Sequence, residues 1–486
     1  MDPRKSTVYR LESRPKEQGR GVLVRVAASG DYDLTDPKKW NVRTGVHAYG
    51  GAAATVFDGT AYFSNSSLND KMDGKVYKVV DDGKGQGTPT AITPGKPFGW
   101  KFCQVDADLI TRPENDRHYF AGLAVYPKEP KFIVAIIEDH TDDPKGDQPK
   151  KVLNELCVID EKAKRMNIIV RAEDPTQEFY GPPAFSPTGA YLAWQNWSHP
   201  YMPWDQAKIY IAEVDTSFSF MLVHVRAVPF PFQDAPLVSL AYPNWSNDNT
   251  VIFTSDVSDF LNPWKYDVST PNVPPSAVFS EKVDRDFGCP MWSLHFFPFA
   301  VLDETRALFI GTEDGHDSLY FVDLKTPGLP KKINTGCVVI DGLRSLGKGN
   351  DGKFKVVFAG TKVDEETKLI NLTVSDSLDG PPCASVTDFV SAEKDWISTP
   401  TTHAIKGNDG PVHVVYYAPK NPNYLGLCNE KPPCMVHVHG GPEWLQPQGL
   451  DWTKQYFTSR GYAWYVYHYC FLTGRIELMN ISLGWT

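Results

Sequence analysis

Residues 180–194 read Tyr-Gly-Pro-Pro-Ala-Phe-Ser-Pro-Thr-Gly-Ala-Tyr-Leu-Ala-Trp. An aromatic anchor, Phe185, is followed by a polar Ser-Pro-Thr-Gly turn and then by a run of aromatic and aliphatic residues that favours a β-strand. A related phrase begins 60 residues later at Trp245, where another polar turn precedes Val-Ile-Phe-Thr. Looser copies occupy residues 56–64 and 301–312. The chain therefore repeats one anchor–turn–strand unit.

A second strand often follows the repeated phrase, as in residues 208–214 and 318–324. Strand–turn–strand units that recur every ~50–60 residues are typical of β-propeller blades, each a small twisted sheet. The pattern predicts a mainly β protein with about six or seven such units in residues 1–390. A β-sandwich array is the alternative, but it does not readily explain the repeated phrase.

Composition narrows the function classes. The 486 residues are 41% apolar and 22% charged, with a net charge of −10, which argues against a nucleic-acid-binding face. No apolar run approaches the ~20 residues that span a bilayer, and the first residues resemble no secretory signal. The eight cysteines are scattered without CxxC spacing. We therefore expect reduced thiols, no metal site and a cytoplasmic location without membrane association.

After residue 390 the pattern changes. Residues 397–419 predict a β-hairpin, and an apolar strand is expected at Met435–His439. Asp451–Arg460 has helical spacing, and Gly461 follows where a helix C-cap belongs. One more strand is expected at Tyr462–Tyr469. Hairpin, strand, helix and strand in this order predict the opening part of an α/β-hydrolase domain over residues 391–486.

The expected strand Met435–His439 runs into a His439-Gly440-Gly441-Pro442 turn. In α/β-hydrolase sheets, a tight glycine turn after the third strand offers a backbone N–H to the developing oxyanion. Glycine suits this position because the backbone must approach the substrate closely. Gly441 and Gly440 are therefore the candidate oxyanion-hole residues, with His439 and Pro442 completing the opening motif of the hydrolase domain.

Several phrases, in order, resemble the prolyl oligopeptidase-like serine peptidases, in particular the dipeptidyl aminopeptidase and acylaminoacyl-peptidase branch. The resemblance spans most of the chain. It is carried by residues 12–20, Val46-His-Ala-Tyr-Gly-Gly51, Glu138-Asp-His140, Phe185-Ser-Pro-Thr-Gly189 with 199–205, Asp286-Phe-Gly-Cys-Pro-Met-Trp292, and His439-Gly-Gly-Pro442.

The resemblance implies a seven-bladed propeller followed by an α/β-hydrolase domain. The first residue of this chain would then fall inside the first blade. It also implies hydrolysis of short peptides by a Ser–Asp–His triad, with release of a dipeptide or an acylaminoacyl residue from the N-terminus. No cofactor would be needed, and the N–H of Gly441 would be one oxyanion donor. The partners would be peptides. A homo-oligomer is compatible with the sequence, which leaves the oligomeric state open.

This chain departs from the family pattern in ways that matter for catalysis. No Gly-x-Ser-x-Gly occurs in it, and the nearest phrase, Asn480-Ile-Ser-Leu-Gly484, lacks the first glycine. None of the triad is therefore expected in these 486 residues, so we expect an inactive, truncated catalytic domain. Ala48 also replaces the usual glutamate of its phrase, which removes support for a role in holding a substrate amino group. A non-catalytic propeller that binds peptides or partner proteins is the alternative function.

The incomplete domain has a consequence for solubility. Tyr462–Tyr469 is rich in Trp, Tyr and Val, and such a strand is expected to expose an apolar edge that recruits other chains. Poor solubility of the whole chain is expected, with improvement on truncation near residue 395.

Overall fold

A computed structural model describes residues 2, 4–66, 72–93, 117–143, 148–230, 237–375, 394–406, 411–427, 429–440 and 445–468. Within these ranges the chain is mainly β, with a single α-helix, α1 (Trp452–Thr458). The strands are β1 (Tyr9–Arg14), β2 (Arg20–Arg25), β3 (Tyr32–Asp33), β4 (Asn41–Val42), β5 (Ala54–Phe57), β6 (Thr60–Ser66), β7 (Met72–Val80), β8 (Thr90–Ala91), β9 (His118–Val125), β10 (Phe132–Asp139), β11 (Leu153–Asp160), β12 (Arg165–Val170), β13 (Glu178–Tyr180), β14 (Ala184–Phe185), β15 (Tyr191–Ser198), β16 (Lys208–Asp215), β17 (Met221–Ala227), β18 (Leu240–Asn247), β19 (Thr250–Ser255), β20 (Asn262–Asp267), β21 (Ser276–Ala277), β22 (Phe299–Asp303), β23 (Arg306–Glu313), β24 (His316–Asp323), β25 (Lys331–Ile333), β26 (Val339–Lys348), β27 (Phe354–Thr361), β28 (Lys368–Val374), β29 (Pro400–Lys406), β30 (Pro411–Tyr417), β31 (Cys434–Val438) and β32 (Ala463–His468).

Strands β1–β28 form seven consecutive small sheets within the described ranges. They are β1–β3, β4–β8, β9–β12, β13–β17, β18–β21, β22–β25 and β26–β28. Within these sheets the pairing is antiparallel, as β10 shows with β9 and β11. The predicted strand at 208–214 lies within β16, and the strand predicted at 318–324 is observed as β24, which ends one residue earlier. This succession of short sheets matches the blade pattern that the repeated phrase predicted.

The repeated phrase has a structural role in joining one repeat to the next. Trp245 is 4% exposed, stacks on Tyr191 at 5.8 Å between ring centroids, and donates from Nε1 to the carbonyl oxygen of Ala184 at 2.9 Å. The turns of the two phrases also meet, because the Thr188 amide donates to Asp248 Oδ1 at 2.9 Å. Copies of the phrase that lie 60 residues apart in sequence therefore contact each other.

Two compact units are present. The first comprises Met1–Phe253, Trp264–Ser276 and Met291–Phe296, and the second comprises Thr254–Pro263, Ala277–Pro290 and Phe297–Thr486. The apolar cores of the first unit include one that contains Trp194, Tyr180 and Val46. Those of the second unit include one around Phe358 and another around Val466.

The last sheet differs from the other seven because it is mixed. Its strand order is β29-β30-β32-β31, with β30 antiparallel to both neighbours and β31 parallel to β32. Helix α1 connects the two parallel strands, as a parallel connection requires. The predicted order of hairpin, strand, helix and strand is confirmed within one or two residues.

One expectation about this sheet is wrong. The strand expected at Tyr462–Tyr469, observed as β32, lies between β30 and β31 and exposes no edge. Trp464 and Val466 are buried, so its apolar side chains already have neighbours. In the described part of the sheet, the outer strands are β29 and β31. Val436 and Val438 of β31 are 67% and 59% exposed.

Candidate functional site

The Gly-Gly turn follows directly from strand β31. His439 is 4% exposed, and its Nδ1 lies 3.4 Å from the carbonyl oxygen of Gly440. Gly440 is exposed, and a Cβ placed on it would meet no heavy atom of the described residues within 4 Å. Gly441 and Pro442, the other two predicted members of the motif, lie outside the described residues.

The chain beyond the turn is anchored by polar contacts within the second unit. Gln448 is 2% exposed and donates from Nε2 to the Asp314 carbonyl oxygen at 2.8 Å. Two residues later, the Leu450 amide donates to the Lys362 carbonyl oxygen, also at 2.8 Å. These contacts hold residues 448–450 against the turns that follow β23 and β27, and so fix the chain immediately before helix α1.

Helix α1 begins with a side-chain cap. Asp451 Oδ1 accepts hydrogen bonds from the amides of Thr453 at 2.8 Å and Lys454 at 3.3 Å, which satisfies two N–H groups of the first turn. The expected C-terminal signal is also present, since Gly461 has φ 89° just beyond the helix. Inside the helix, Gln455 exchanges two hydrogen bonds with the Ser398 backbone, at 2.8 and 3.0 Å. The helix is thereby tied to the chain that leads into β29.

In this last sheet, β31 is the third strand in sequence, and the Gly440-Gly441 sequence lies between it and helix α1 in the chain. Hydrolases of the α/β type place an oxyanion N–H donor between these two elements.

Two histidines of the last sheet have contacts of their own. His403 is exposed and hydrogen-bonded to Thr401 through Nε2 at 3.0 Å, as expected for a surface residue. His437 packs 6.0 Å from the Trp464 ring between ring centroids.

A second cluster lies in the first unit. It brings together the phrases Val46–Gly51 and Glu138–His140, which are far apart in the sequence. The His47 amide donates to Glu138 Oε1 at 2.7 Å, and His140 Nε2 lies 3.1 Å from Glu138 Oε2. Burial lowers the pKa of His47, and the Glu138 carboxylate opposes this shift. The His47 ring meets Trp197 edge-on, with 5.3 Å between ring centroids. Glu138, 4% exposed, thus links two phrases that are 91 residues apart.

The turn held by Glu138 has an unusual backbone. His47, Ala48 and Ala52 have φ of 54°, 63° and 47°, and Gly50 and Gly51 have φ of 69° and 93°. Left-handed conformations cost energy in residues that carry a Cβ, and they concentrate where function requires a fixed geometry. Residues 47–52 therefore form a strained turn that the surrounding contacts must hold in place.

Residues 292–295 supply those contacts. Ser293 Oγ donates to the Gly50 carbonyl oxygen at 3.0 Å, and the Leu294 amide donates to the same oxygen at 2.9 Å. A Cβ on Gly51 would lie 2.7 Å from the Leu294 nitrogen, so this close approach requires glycine. Ser293 Oγ also lies 2.7 Å from His295 Nδ1. Ser293 Oγ is therefore within hydrogen-bond distance of both the Gly50 carbonyl oxygen and the His295 ring.

Three aromatic rings meet beside the strained turn. Tyr49, at its tip, is 65% exposed and lies 5.3 Å from the Trp292 ring between centroids, at an interplanar angle of 70°. Trp204 lies 4.5 Å from Trp292. We call Tyr49, Trp204 and Trp292 the ring cluster. The sequence did not predict it, because these aromatic residues lie in three phrases that are far apart in the chain.

The fold is similar to that of solved peptidase structures. A puromycin hydrolase mutant in complex with PGG matches at 21% identity with a TM-score of 0.77, covering 95% of this chain and 65% of that one. A puromycin-hydrolyzing peptidase from Mycobacterium tuberculosis matches at 24% identity and a TM-score of 0.76, with 95% and 64% covered. Prolyl oligopeptidase B from Galerina marginata matches at 12% identity and a TM-score of 0.62, with 95% and 60% covered.

This chain thus spans less than two thirds of the length of the structures it matches. Neither a protein-family model nor a curated protein sequence matches it significantly. At the level of the fold, the likeness confirms the resemblance to prolyl oligopeptidase-like proteins. In the part of the chain that the structure describes, no helix combines the length and apolar character needed to cross a bilayer.

Proposed function

We propose that this chain is part of a serine-type peptidase of the prolyl oligopeptidase-like family that hydrolyses short peptides by a Ser–Asp–His mechanism. The observation that carries the proposal is the succession of β31, the glycine turn and α1 in a mixed sheet that follows seven small sheets. The fold shared with puromycin-hydrolyzing and prolyl-oligopeptidase structures supports a peptide substrate. Release of a dipeptide or an acylaminoacyl residue from the N-terminus is the specific reaction proposed.

Within this proposal, the 486 printed residues by themselves are inactive, because they contain no Gly-x-Ser-x-Gly. Without a nucleophile and its base, only the weak residual catalysis of positioning and electrostatics remains. The purified polypeptide should neither react covalently with a fluorophosphonate probe nor turn over chromogenic dipeptidyl and acylaminoacyl substrates. Covalent labelling of this polypeptide would disprove its inactivity.

The family assignment is tested on the longest transcript of the gene. We expect sequence that continues past Thr486 to supply a Gly-x-Ser-x-Gly and a later histidine, and its product to hydrolyse these substrates. In that product, Gly441→Pro removes the backbone N–H proposed for the oxyanion hole and should lower kcat about 10²–10³-fold. Gly426→Ala, at an exposed loop glycine outside the motif, is the control. Equal activity of both variants would contradict the role of Gly441.

A cytoplasmic location belongs to the proposal as well. Its support is the cysteine pattern of the sequence, in which the eight cysteines are scattered without CxxC spacing. Peptide binding without catalysis is the second candidate function. The specific observation that favours it is the ring cluster, which lies in the first unit on residues distant in sequence from the glycine turn.

A further inference from the structure

Hydrogen bonds hold the turn that carries Tyr49, although the Tyr49 ring itself is largely exposed. Tyr49 is the exposed tip of a turn whose amide at His47 is bound by Glu138 and whose carbonyl at Gly50 is bound by Ser293 and Leu294. The turn contains three strained non-glycine residues, His47, Ala48 and Ala52, and is hydrogen-bonded on both sides. It exposes the Tyr49 ring at the surface. Strain of this kind supports a functional role for the displayed group.

The second wall of the cluster belongs to a short loop, residues 199–206. Its Asp205 carboxylate accepts a hydrogen bond from the Met202 amide at 3.0 Å, and the Asp205 amide donates to the Met202 carbonyl oxygen at the same distance. These bonds close a turn that contains Trp204. Tyr201 and Met202, in the same turn, are 37% and 36% exposed. The loop therefore presents aromatic and thioether surface beside a carboxylate.

The segments that carry the three rings, 46–51, 199–206 and 291–296, contain no lysine or arginine. They do contain Asp205, and the buried Glu138 lies directly against the turn that carries Tyr49. The whole chain carries a net charge of −10. A cation near the ring cluster would meet aromatic faces and negative charge, whereas an anion would be repelled.

We propose that the ring cluster Tyr49–Trp292–Trp204 is a subsite that binds the guanidinium or ammonium group of an arginine or lysine side chain in a peptide substrate. Arginine fits best, because its planar guanidinium stacks on aromatic faces and is weakly hydrated. Each ring lost should weaken binding by the strength of an exposed cation–π contact, about two- to fivefold in Kd. The inference rests on the proposed function, since it assigns side-chain specificity to a peptide-binding protein.

The test measures binding to the full chain at pH 8 by titration calorimetry. The probes are blocked tripeptides, acetylated at the N-terminus and amidated at the C-terminus, whose central residue is arginine, citrulline, phenylalanine or glutamate. Citrulline has the shape of arginine without its charge. We expect arginine to bind at least threefold more tightly than citrulline, glutamate to bind most weakly, and the preference to shrink as salt increases.

Substitutions locate the site. Tyr49→Ala should reduce affinity for the arginine peptide two- to fivefold and leave citrulline binding almost unchanged, while Tyr49→Phe should retain most of the preference. Phe218→Ala is the matched control, because Phe218 is an aromatic residue of the same unit that is 97% exposed. Tyr49 is also exposed, so Tyr49→Ala should fold; an unchanged melting temperature checks this.

The possible results distinguish failure of the cation subsite from failure of the proposed function. Equal affinity for arginine and citrulline peptides, or equal effects of Tyr49→Ala and Phe218→Ala, overturns the cation subsite while peptide binding stands. Tighter binding of the phenylalanine peptide overturns it in favour of an apolar side chain. Failure of all four blocked peptides to bind overturns the subsite but leaves the proposed dipeptide release, which uses a free N-terminus, to the activity assays described above.

Discussion

The amide of His47 donates a 2.7 Å hydrogen bond to Glu138 Oε1, across 91 residues of sequence. That contact joins a turn in the left-handed region of φ to the end of a buried strand, β10. Because Glu138 is 4% exposed, water cannot replace it as the acceptor. The pair is therefore a fixed point around which the exposed Tyr49 and its aromatic neighbours are arranged.

Glu138→Ala should destabilise the protein by about 1–3 kcal/mol, since it leaves a buried backbone N–H without its acceptor. Glu138→Gln keeps an oxygen that can accept this bond and should cost less. Urea unfolding followed by tryptophan fluorescence measures the difference. Glu304→Ala, at an exposed turn, is the control and should have almost no effect. If the alanine and glutamine variants unfold at the same midpoint, the contact to His47 is not what stabilises the turn.

Asp286 should make stability depend on pH. Burial raises its pKa to about 7, the nearby Asp256 adds to the shift, and the hydrogen bond from the Leu261 amide opposes it. The folded state thus holds a proton that the unfolded chain releases near pH 4. The stabilisation from this group is complete below about pH 4 and is lost as the pH rises to about 7.

Asp286→Asn should therefore stabilise the protein at pH 8, by about 2–4 kcal/mol, and have little effect at pH 4. Melting temperatures of both forms across this pH range measure the effect. Asp284→Asn, at an exposed neighbouring carboxylate, is the control. A constant difference between the Asp286 variant and the unmodified protein at every pH would show that Asp286 does not titrate in this range.

Trp245→Ala should cost about 3–5 kcal/mol, as for other large aromatic side chains removed from a core. It removes both the stacking on Tyr191 and the hydrogen bond to Ala184 that join two copies of the repeated phrase. Trp245→Phe retains a ring and should lose less. Tyr424→Ala, at a residue 77% exposed, provides the baseline in chemical unfolding. Equal unfolding midpoints for Trp245→Ala and Tyr424→Ala would show that Trp245 does not stabilise the contact between the two copies of the phrase.

Val436→Lys in the outer strand β31 should reduce aggregation, because a lysine on an exposed strand edge opposes pairing with another chain. Static light scattering during concentration measures it. Leu425→Lys is the control, because Leu425 lies in a loop and its side chain is 97% exposed. It shows how much any replacement of an exposed apolar residue by lysine reduces aggregation. An equal benefit from both lysines would mean that exposed apolar surface, and not the strand edge, drives association.

Local sequence patterns predicted the strands of the repeated phrase and the elements of the last sheet. The anchor–turn–strand phrase located β15, β16, β19 and β24, and capping residues located helix α1. The order of the four strands in the last sheet was not predictable in the same way. The apolar run of β32 was expected to expose an edge, yet it lies between β30 and β31. Which neighbour a strand takes depends on contacts between distant residues, which periodicity does not encode.

The sequence by itself determined a chain of short β-strands, followed by a strand that runs into a glycine turn and a capped helix. These features depend on side-chain alternation, turn residues and caps within a few residues of each other. Only the tertiary structure decided that Glu138 holds the turn at His47, and that Tyr49, Trp204 and Trp292 meet beside it. Those contacts join residues up to 243 positions apart, like Ser293 with Gly50, and long-range packing alone brings such residues together.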